Sequence, residues 1–261
     1  MQKNIYLTIL TIVTVACIIF GSLYHIIGFG SEIADYLSLP FFEEKESANN
    51  SMNTDTLTPE AFTCIKGDFS VIDLTICPGS SYKISYNGNK KFAPEYSVTD
   101  GVLNIKQQKV GIKSFGINNN KCELTVTIPA DTSLTSVELT SDVGDIELND
   151  LAIGQLNLSA DVGDLELKKL SSDEIVIETN VGDVDVKDCT YETIRITSDI
   201  GDISIDGQDE LDSYAFDLST DLGTVKVDGK KHSRSYEKTK EEGNNRLIYV
   251  RNDTGDISID D

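Results

Sequence analysis

From Val137 to Ile259 the chain alternates apolar and polar residues in six short blocks, each broken at its centre by a glycine. The blocks read VELTSDVGDIEL, LNLSADVGDLEL, IVIETNVGDVDV, IRITSDIGDISI, FDLSTDLGTVKV and IYVRNDTGDISI. Their glycines are Gly144, Gly163, Gly182, Gly201, Gly223 and Gly255, spaced 19, 19, 19, 22 and 32 residues apart. A period held for four copies and then loosened by insertions is the mark of a repeat architecture.

Seven and five residues before each glycine, and two and four after it, every residue is apolar, from Val137, Leu139, Ile146 and Leu148 to Ile248, Val250, Ile257 and Ile259. The residue between two such slots is usually polar, so each repeat predicts two short strands with one buried face. The glycine permits positive φ, and the Asp or Asn two residues before it can bond nearby backbone, which predicts a corner between the strands. At roughly 3.3 Å per residue, one repeat has a perimeter of about 60 Å, enough to wrap a narrow core once. The pattern predicts an all-β solenoid whose rungs stack in sequence order, in parallel ladders. Asp-Gly between apolar alternations is also a hairpin signal, which makes an antiparallel meander the rival arrangement. The fixed period favours the solenoid, as does a second, longer connection with its own semi-apolar slot at Leu151, Leu170 and Cys189.

Upstream the chain divides by composition. Residues 1–4 carry Lys3, and residues 5–30 contain no Asp, Glu, Lys or Arg, longer than the ~20 residues that cross a bilayer. Without an Ala-x-Ala-like cleavage site the stretch predicts an uncleaved transmembrane anchor. Lys3 on one side and Glu32, Asp35, Glu43, Glu44 and Glu46 on the other predict a single-pass membrane protein with its N-terminus inside and its repeat domain extracellular. Residues 31–60 read as a linker. Residues 61–130 read as irregular β structure in which no 19-residue repeat is visible, a cap that grades into the first rungs. Candidate strands there are 69–74, 82–86, 95–98, 102–105 and 124–128, with turn signals at Asn87-Gly88 and Asp100-Gly101. Residues 131–261 hold the repeats and a polar insertion at 230–245. On this reading the sixth repeat is the terminal rung, and Asp260 and Asp261 guard its open edge.

The formal charge is −22, and residues 131–229 hold 25 Asp or Glu against five Lys or Arg. Nucleic acid, which needs counter-charge from Lys and Arg, is excluded as a partner of the repeats. Anionic lipid and anionic wall polymer are disfavoured for the same reason unless divalent cations bridge them. Residues 230–250, with six Lys or Arg against three Glu, are the basic exception. Cys64, Cys77, Cys122 and Cys189 follow the anchor, where disulfides are permitted; four cysteines allow three full pairings, and the sequence does not choose among them. Cys189, in the slot of Leu151 and Leu170, reads as a small buried apolar residue.

Catalytic signatures are sparse. His25 lies in the anchor and His232 in the polar insertion, and no zinc, phosphate-loop or dinucleotide motif is present. Carboxylate pairs can serve glycoside chemistry, but the chain has no Trp to stack on sugar rings. The remaining constellation is the corner. Asp142, Asp161, Asn180, Asp199, Asp221 and Asp253 form one predicted column; Asp145, Asp164, Asp183, Asp202 and Asp256 form another, with Thr224 in the fifth repeat. Two carboxylates ~5 Å apart repel by about 0.8 kcal/mol even in water, so the columns must fan outward, bond backbone amides or share cations. Oxygen-rich clusters suit Ca²⁺, which makes Asp142, Asp145, Asp161, Asp164, Asp183, Asp199 and Asp202 calcium candidates. The competing reading is turn chemistry on a solvated acidic surface, with no cofactor.

The recurring S/T-x-x-G-D-[IVL]-x-[IVL] motif, the segment ELTVTIP at 123–129 and the preceding anchor resemble the bacterial "putative adhesin" β-strand-repeat family, including LiaG-like membrane-anchored proteins. The resemblance covers residues 61–261 and implies a right-handed parallel β-helix at the cell surface, with no catalytic residues to carry over. The expected role is non-catalytic: a binding scaffold or adhesin-like module of the cell envelope, whose partner is an envelope protein or wall polymer. The alternatives are a sensor or accessory subunit of an envelope-stress system, and a polysaccharide-active enzyme.

Overall fold

Each repeat forms a long strand before its glycine and a short one after it. The computed structural model describes residues 52–109, 122–207, 211–239 and 246–261. The expected anchor and most of the expected linker lie outside the described residues. In chain order the strands are β1 (Met52–Leu57), β2 (Cys64–Phe69), β3 (Asp73–Gly79), β4 (Lys83–Asn89), β5 (Glu95–Thr99), β6 (Val102–Lys106) and β7 (Glu123–Pro129). The first four repeats supply β8 (Ser133–Val143), β9 (Ile146–Asn149), β10 (Ala152–Val162), β11 (Leu165–Lys168), β12 (Ser171–Val181), β13 (Val184–Lys187), β14 (Thr190–Ile200) and β15 (Ile203–Asp206). The fifth supplies β16 (Ala215–Leu222) and β17 (Val225–Val227), followed by β18 (Lys230–His232) and β19 (Ser235–Lys238). The sixth supplies β20 (Leu247–Thr254) and β21 (Ile257–Ile259).

The strands pair into two sheets that face each other across the apolar columns. One runs β1-β4-β7-β3-β9-β11-β13-β15-β21-β17-β18, the other β19-β16-β20-β14-β12-β10-β8-β2-β6-β5. Between successive repeats the pairing is parallel and offset by the repeat length, with Val137 opposite Leu156, Leu156 opposite Ile175 and Ile175 opposite Ile194. All 24 predicted apolar slots are buried, none more than 7% exposed. Burying such a side chain is worth roughly 1.5–3 kcal/mol, so these columns are the main source of stability. Leu151, Leu170 and Cys189 are buried behind them.

The order of the last two repeats corrects the sequence reading. β20 lies between β14 and β16, and β21 between β15 and β17, so the sixth repeat fills a slot between the fourth and the fifth. The fifth repeat is the terminal rung. Asp260 and Asp261 therefore guard no open edge: Asp260 donates its N–H to Ile205 O and accepts from the N–H of Gly229 on Oδ1. The C-terminal end of the stack is closed instead by antiparallel strands, β18 on β17 in one sheet and β19 on β16 in the other. These two strands come from the polar insertion.

The N-terminal region hides two further rungs. Ile65 and Gly67 of β2 pair with Val137 and Leu139, and Leu74 and Ile76 of β3 with Ile146 and Leu148. Leu103, Ile105, Leu124 and Val126 continue the same four columns one rung further out. The chain escapes the repeat pattern because Gly67 occupies an apolar slot and the Phe69 ring fills it; a Cβ there would stand 2.8 Å from Leu139 Cδ2. Residues 70–72 are accordingly a corner rather than part of the expected strand at 69–74, and the buried Gln107 amide staples it, accepting from the N–H groups of Ser70 (2.9 Å) and Val71 (2.7 Å). Asp100-Gly101 forms the expected tight hairpin, with φ of 52° and 74°. Asn87-Gly88 does not turn: both residues lie within β4, opposite Thr54 and Asn53 of β1. β1 also replaces the last part of the expected linker.

The corner glycines are the tightest points of the stack. Gly144, Gly163, Gly182, Gly201 and Gly255 have φ between 131° and 152°. A Cβ on Gly163 would collide with the carbonyl of Gly144, on Gly182 with that of Gly163, and on Gly201 with that of Gly182. Gly163→Ala is expected to cost about 3 kcal/mol or more, because conformation and close approach both forbid the side chain. Gly101→Ala, where a Cβ meets nothing within 4 Å, is expected to cost only about 1–2 kcal/mol, from its left-handed φ. Urea denaturation of the two variants measures the difference; equal losses would contradict the close-approach argument.

Candidate functional site

The corner carries the acidic residues that the sequence singled out, and the second column proves to be a hydrogen-bonded ladder. Each aspartate that follows a glycine accepts, on Oδ1, the backbone N–H of its counterpart in the next rung. Asp145 accepts from Asp164 (2.9 Å), Asp164 from Asp183 (2.9 Å), Asp183 from Asp202 (2.7 Å) and Asp202 from Asp256 (2.7 Å). The ladder begins at Asp73, which accepts from Asp145 (3.2 Å), and ends where Thr224 donates to Asp256 (2.8 Å). Thr224 thus has a reason: its rung is terminal, and no following rung needs a carboxylate from it. A hydrogen bond to a charged group is worth roughly 1.5–3 kcal/mol, against about 0.8 kcal/mol of repulsion between carboxylates ~5 Å apart in water, so the ladder is net stabilising.

The other column is looser. Asp142 accepts from Ser70 Oγ (3.3 Å) and pairs with Lys109 (3.4 Å), and Asp161 accepts from Asn180 Nδ2 (3.1 Å). Asp161, Asp199, Asp221 and Asp253 are exposed. Among the described residues no group of three or more His, Cys, Asp or Glu side chains converges as a metal site. The structure brings Asp145, Asp164 and Asp183 together with Glu147, Glu166 and Asp185 along a groove of about 350 Å³. Lys168 bonds Glu166 (2.7 Å), which raises the lysine pKa, and Lys187 bonds Asp185 (3.2 Å). Being half-exposed, these pairs contribute little to stability.

Between the two acidic columns runs a feature the sequence reading passed over. The residues just before the glycines, Val143, Val162, Val181, Ile200 and Leu222, stack in register and are 41–48% exposed. The signal was present as a conserved-type position within the repeat, apolar in five copies and Thr254 in the sixth.

The remaining candidates sit apart from the corner. His232 packs against Tyr236 in the C-terminal cap, ring centroids 4.3 Å apart and the planes tilted. All four described cysteines are thiols. Cys64 and Cys77, the pair nearest in sequence, lie on strands of opposite sheets. Burial pushes the Cys189 thiol up to about 11, keeping it protonated and apolar at neutral pH.

If the carboxylates act as backbone acceptors, Asp164→Ala is expected to lower stability by about 1 kcal/mol. Asp164→Asn should lower it less, since its amide oxygen still accepts and repulsion is relieved. Thermal melts at fixed ionic strength should show no rise selective for Ca²⁺ over Mg²⁺. A calcium-selective rise of many degrees, abolished by Asp164→Asn, would make the column a metal site instead.

No curated protein matches the chain. Among solved structures it is similar to a "putative cell adhesion protein" from Clostridium sporogenes, at 16% identity and a TM-score of 0.48, covering 80% of this chain and 99% of that one. It is also similar to a "putative adhesin" from Bacteroides fragilis, at 14% identity and a TM-score of 0.47, covering 82% of this chain and all of the other. The family described as Toastrack DUF4097 matches residues 64–260, from the first hidden rung to the end of the sixth repeat. The chain belongs to the Toastrack DUF4097 family.

Proposed function

We propose that the protein is a membrane-anchored, extracytoplasmic β-solenoid that acts by binding, as a scaffold or adhesin-like module of the cell envelope, and not by catalysis. The observation that carries this reading is where the chain spends its chemistry. The four main interior columns of the rungs are filled by apolar side chains, joined only beside the corner by the small buried polar residues Ser141, Thr179, Ser198, Thr220 and Asn252, while the repeated charged and apolar columns face outward along the corner. A stack of this kind presents an extended surface whose elements recur at the rung spacing of about 4.8 Å, a geometry suited to polymeric or helical partners. The acidic balance of the repeats argues against nucleic acid.

The placement at the membrane rests on residues 5–30 and on the cationic N-terminal side of that stretch. Among the described residues no helix is long and apolar enough to cross a membrane; the anchor is a sequence argument.

A full-length chain with a C-terminal epitope tag, expressed in a Gram-positive host, tests the placement. The tag is expected to stay with membranes through alkaline carbonate washing and to bind antibody on intact protoplasts. Release by the wash, or labelling only after permeabilisation, would overturn it.

A further inference from the structure

The ridge Val143–Val162–Val181–Ile200–Thr254–Leu222 lies outside the buried core of the stack. Among the described residues, five of the six large hydrophobic side chains that stand exposed belong to it. It runs in register through six rungs, with Thr254 of the sixth repeat, whose methyl group is its apolar part, pairing with both Ile200 and Leu222. Five steps at the rung spacing make it about 24 Å long. In each repeat the ridge residue stands between the two acidic columns, which carry ten aspartates and are broken only by Asn180 on one side and Thr224 on the other, so a narrow apolar strip is set between two mainly negative rows.

We propose that this ridge is a docking surface for a basic amphipathic helix of a partner protein. The occupant follows from three observations. The flanking carboxylates select Lys and Arg on both sides of the partner's apolar face and repel anionic lipid and a second copy of this chain. Strand addition is ruled out at the corner because its amides are spent within the stack: the N–H groups of Gly144, Gly163 and Gly182 donate to Val162, Val181 and Ile200 O. Recognition must therefore use side chains, and a helix repeats its face every ~5.4 Å, near the ladder's ~4.8 Å, whereas alternate residues of a strand recur at roughly 6.7 Å. About sixteen helical residues would span the ridge. The proposal rests on the binding role above and gives it a site and a partner class.

The test uses the full chain in nanodiscs of zwitterionic lipid and, as probe, a fluorescein-labelled amphipathic helix of Leu and Lys. A scrambled peptide of the same composition and empty nanodiscs are the controls. A fivefold variant, V143S/V162S/V181S/I200S/L222S, removes the ridge; all five positions are exposed, and an unchanged circular dichroism spectrum and midpoint verify folding. The probe is expected to bind the natural chain with an affinity that falls as salt rises. The fivefold variant and the scrambled peptide should each weaken binding at least tenfold. Equal binding by the variant would overturn the proposal, reducing the attraction to bulk charge. Failure of the probe to bind, equal binding to empty nanodiscs, or self-association of the chain that the variant abolishes would overturn it as well. Each of these results leaves the protoplast labelling experiment unaffected, so the site can fail without the membrane placement failing.

Discussion

The fold depends on a close approach between backbones at one corner. Each corner glycine sets its Cα against a backbone carbonyl one rung away, that of Ile72 for Gly144 and of another corner glycine for the rest, a packing no side chain permits. The N–H of Gly163 reaches Val181 O at 3.0 Å and that of Gly182 reaches Ile200 O at 3.0 Å, so the stack is fixed by hydrogen bonds where it is also tightest. The other columns inherit their alignment from this line. Apolar slots fall over apolar slots, aspartate over aspartate, and the exposed valines into one ridge.

The stack ends are solved by topology as well as by chemistry. The chain lays down its outermost C-terminal rung, β16 and β17, before the rung beside it, and folds β18 and β19 back over the open edges. Only then does the sixth repeat enter the remaining slot. At the other end β2 and β3 are laid down before the rung beyond them, and β4 and β5 cover β7 and β6 in antiparallel pairing. Both ends thus replace a bare parallel edge, which invites other strands, with antiparallel cover, by a hairpin at β17–β18 and β5–β6 and by a longer connection at β16–β19 and β4–β7. The spacing of 32 residues before the last glycine is the length of that detour.

The repeat body was legible in the sequence because its period and its alternation agree. Val137 to Ile205 read as rungs, and they are rungs. Irregular first rungs were expected within residues 61–130, but the register of β2–β3 and β6–β7 was not legible. Gly67 breaks the apolar pattern and Phe69 restores its volume from a neighbouring position, a trade visible only in three dimensions. Rung order was also hidden, since a repeat carries no mark of its neighbour except where a ladder ends. Thr224 is such a mark: it departs from Asp because nothing stacks beyond it. The acidic columns were legible as columns, but their division into a bonded ladder and a looser outer row depends on the backbone direction at the corner. The ridge was written in the same motif, but an apolar residue beside the corner glycine reads the same in sequence whether it is buried or exposed.

The function proposed for the corner requires the stack to be continuous, and continuity rests on the sixth repeat lying inside it. Hydrogen exchange on a chain lacking residues 246–261 tests this most directly. With β20 and β21 gone, the amides of β16 and β17 should lose protection while those of β10 to β13 keep theirs, and a peptide spanning 246–261 should restore it. If the rungs instead stacked in sequence order, the deletion would remove only an end, and undiminished protection in β16 and β17 would contradict the account.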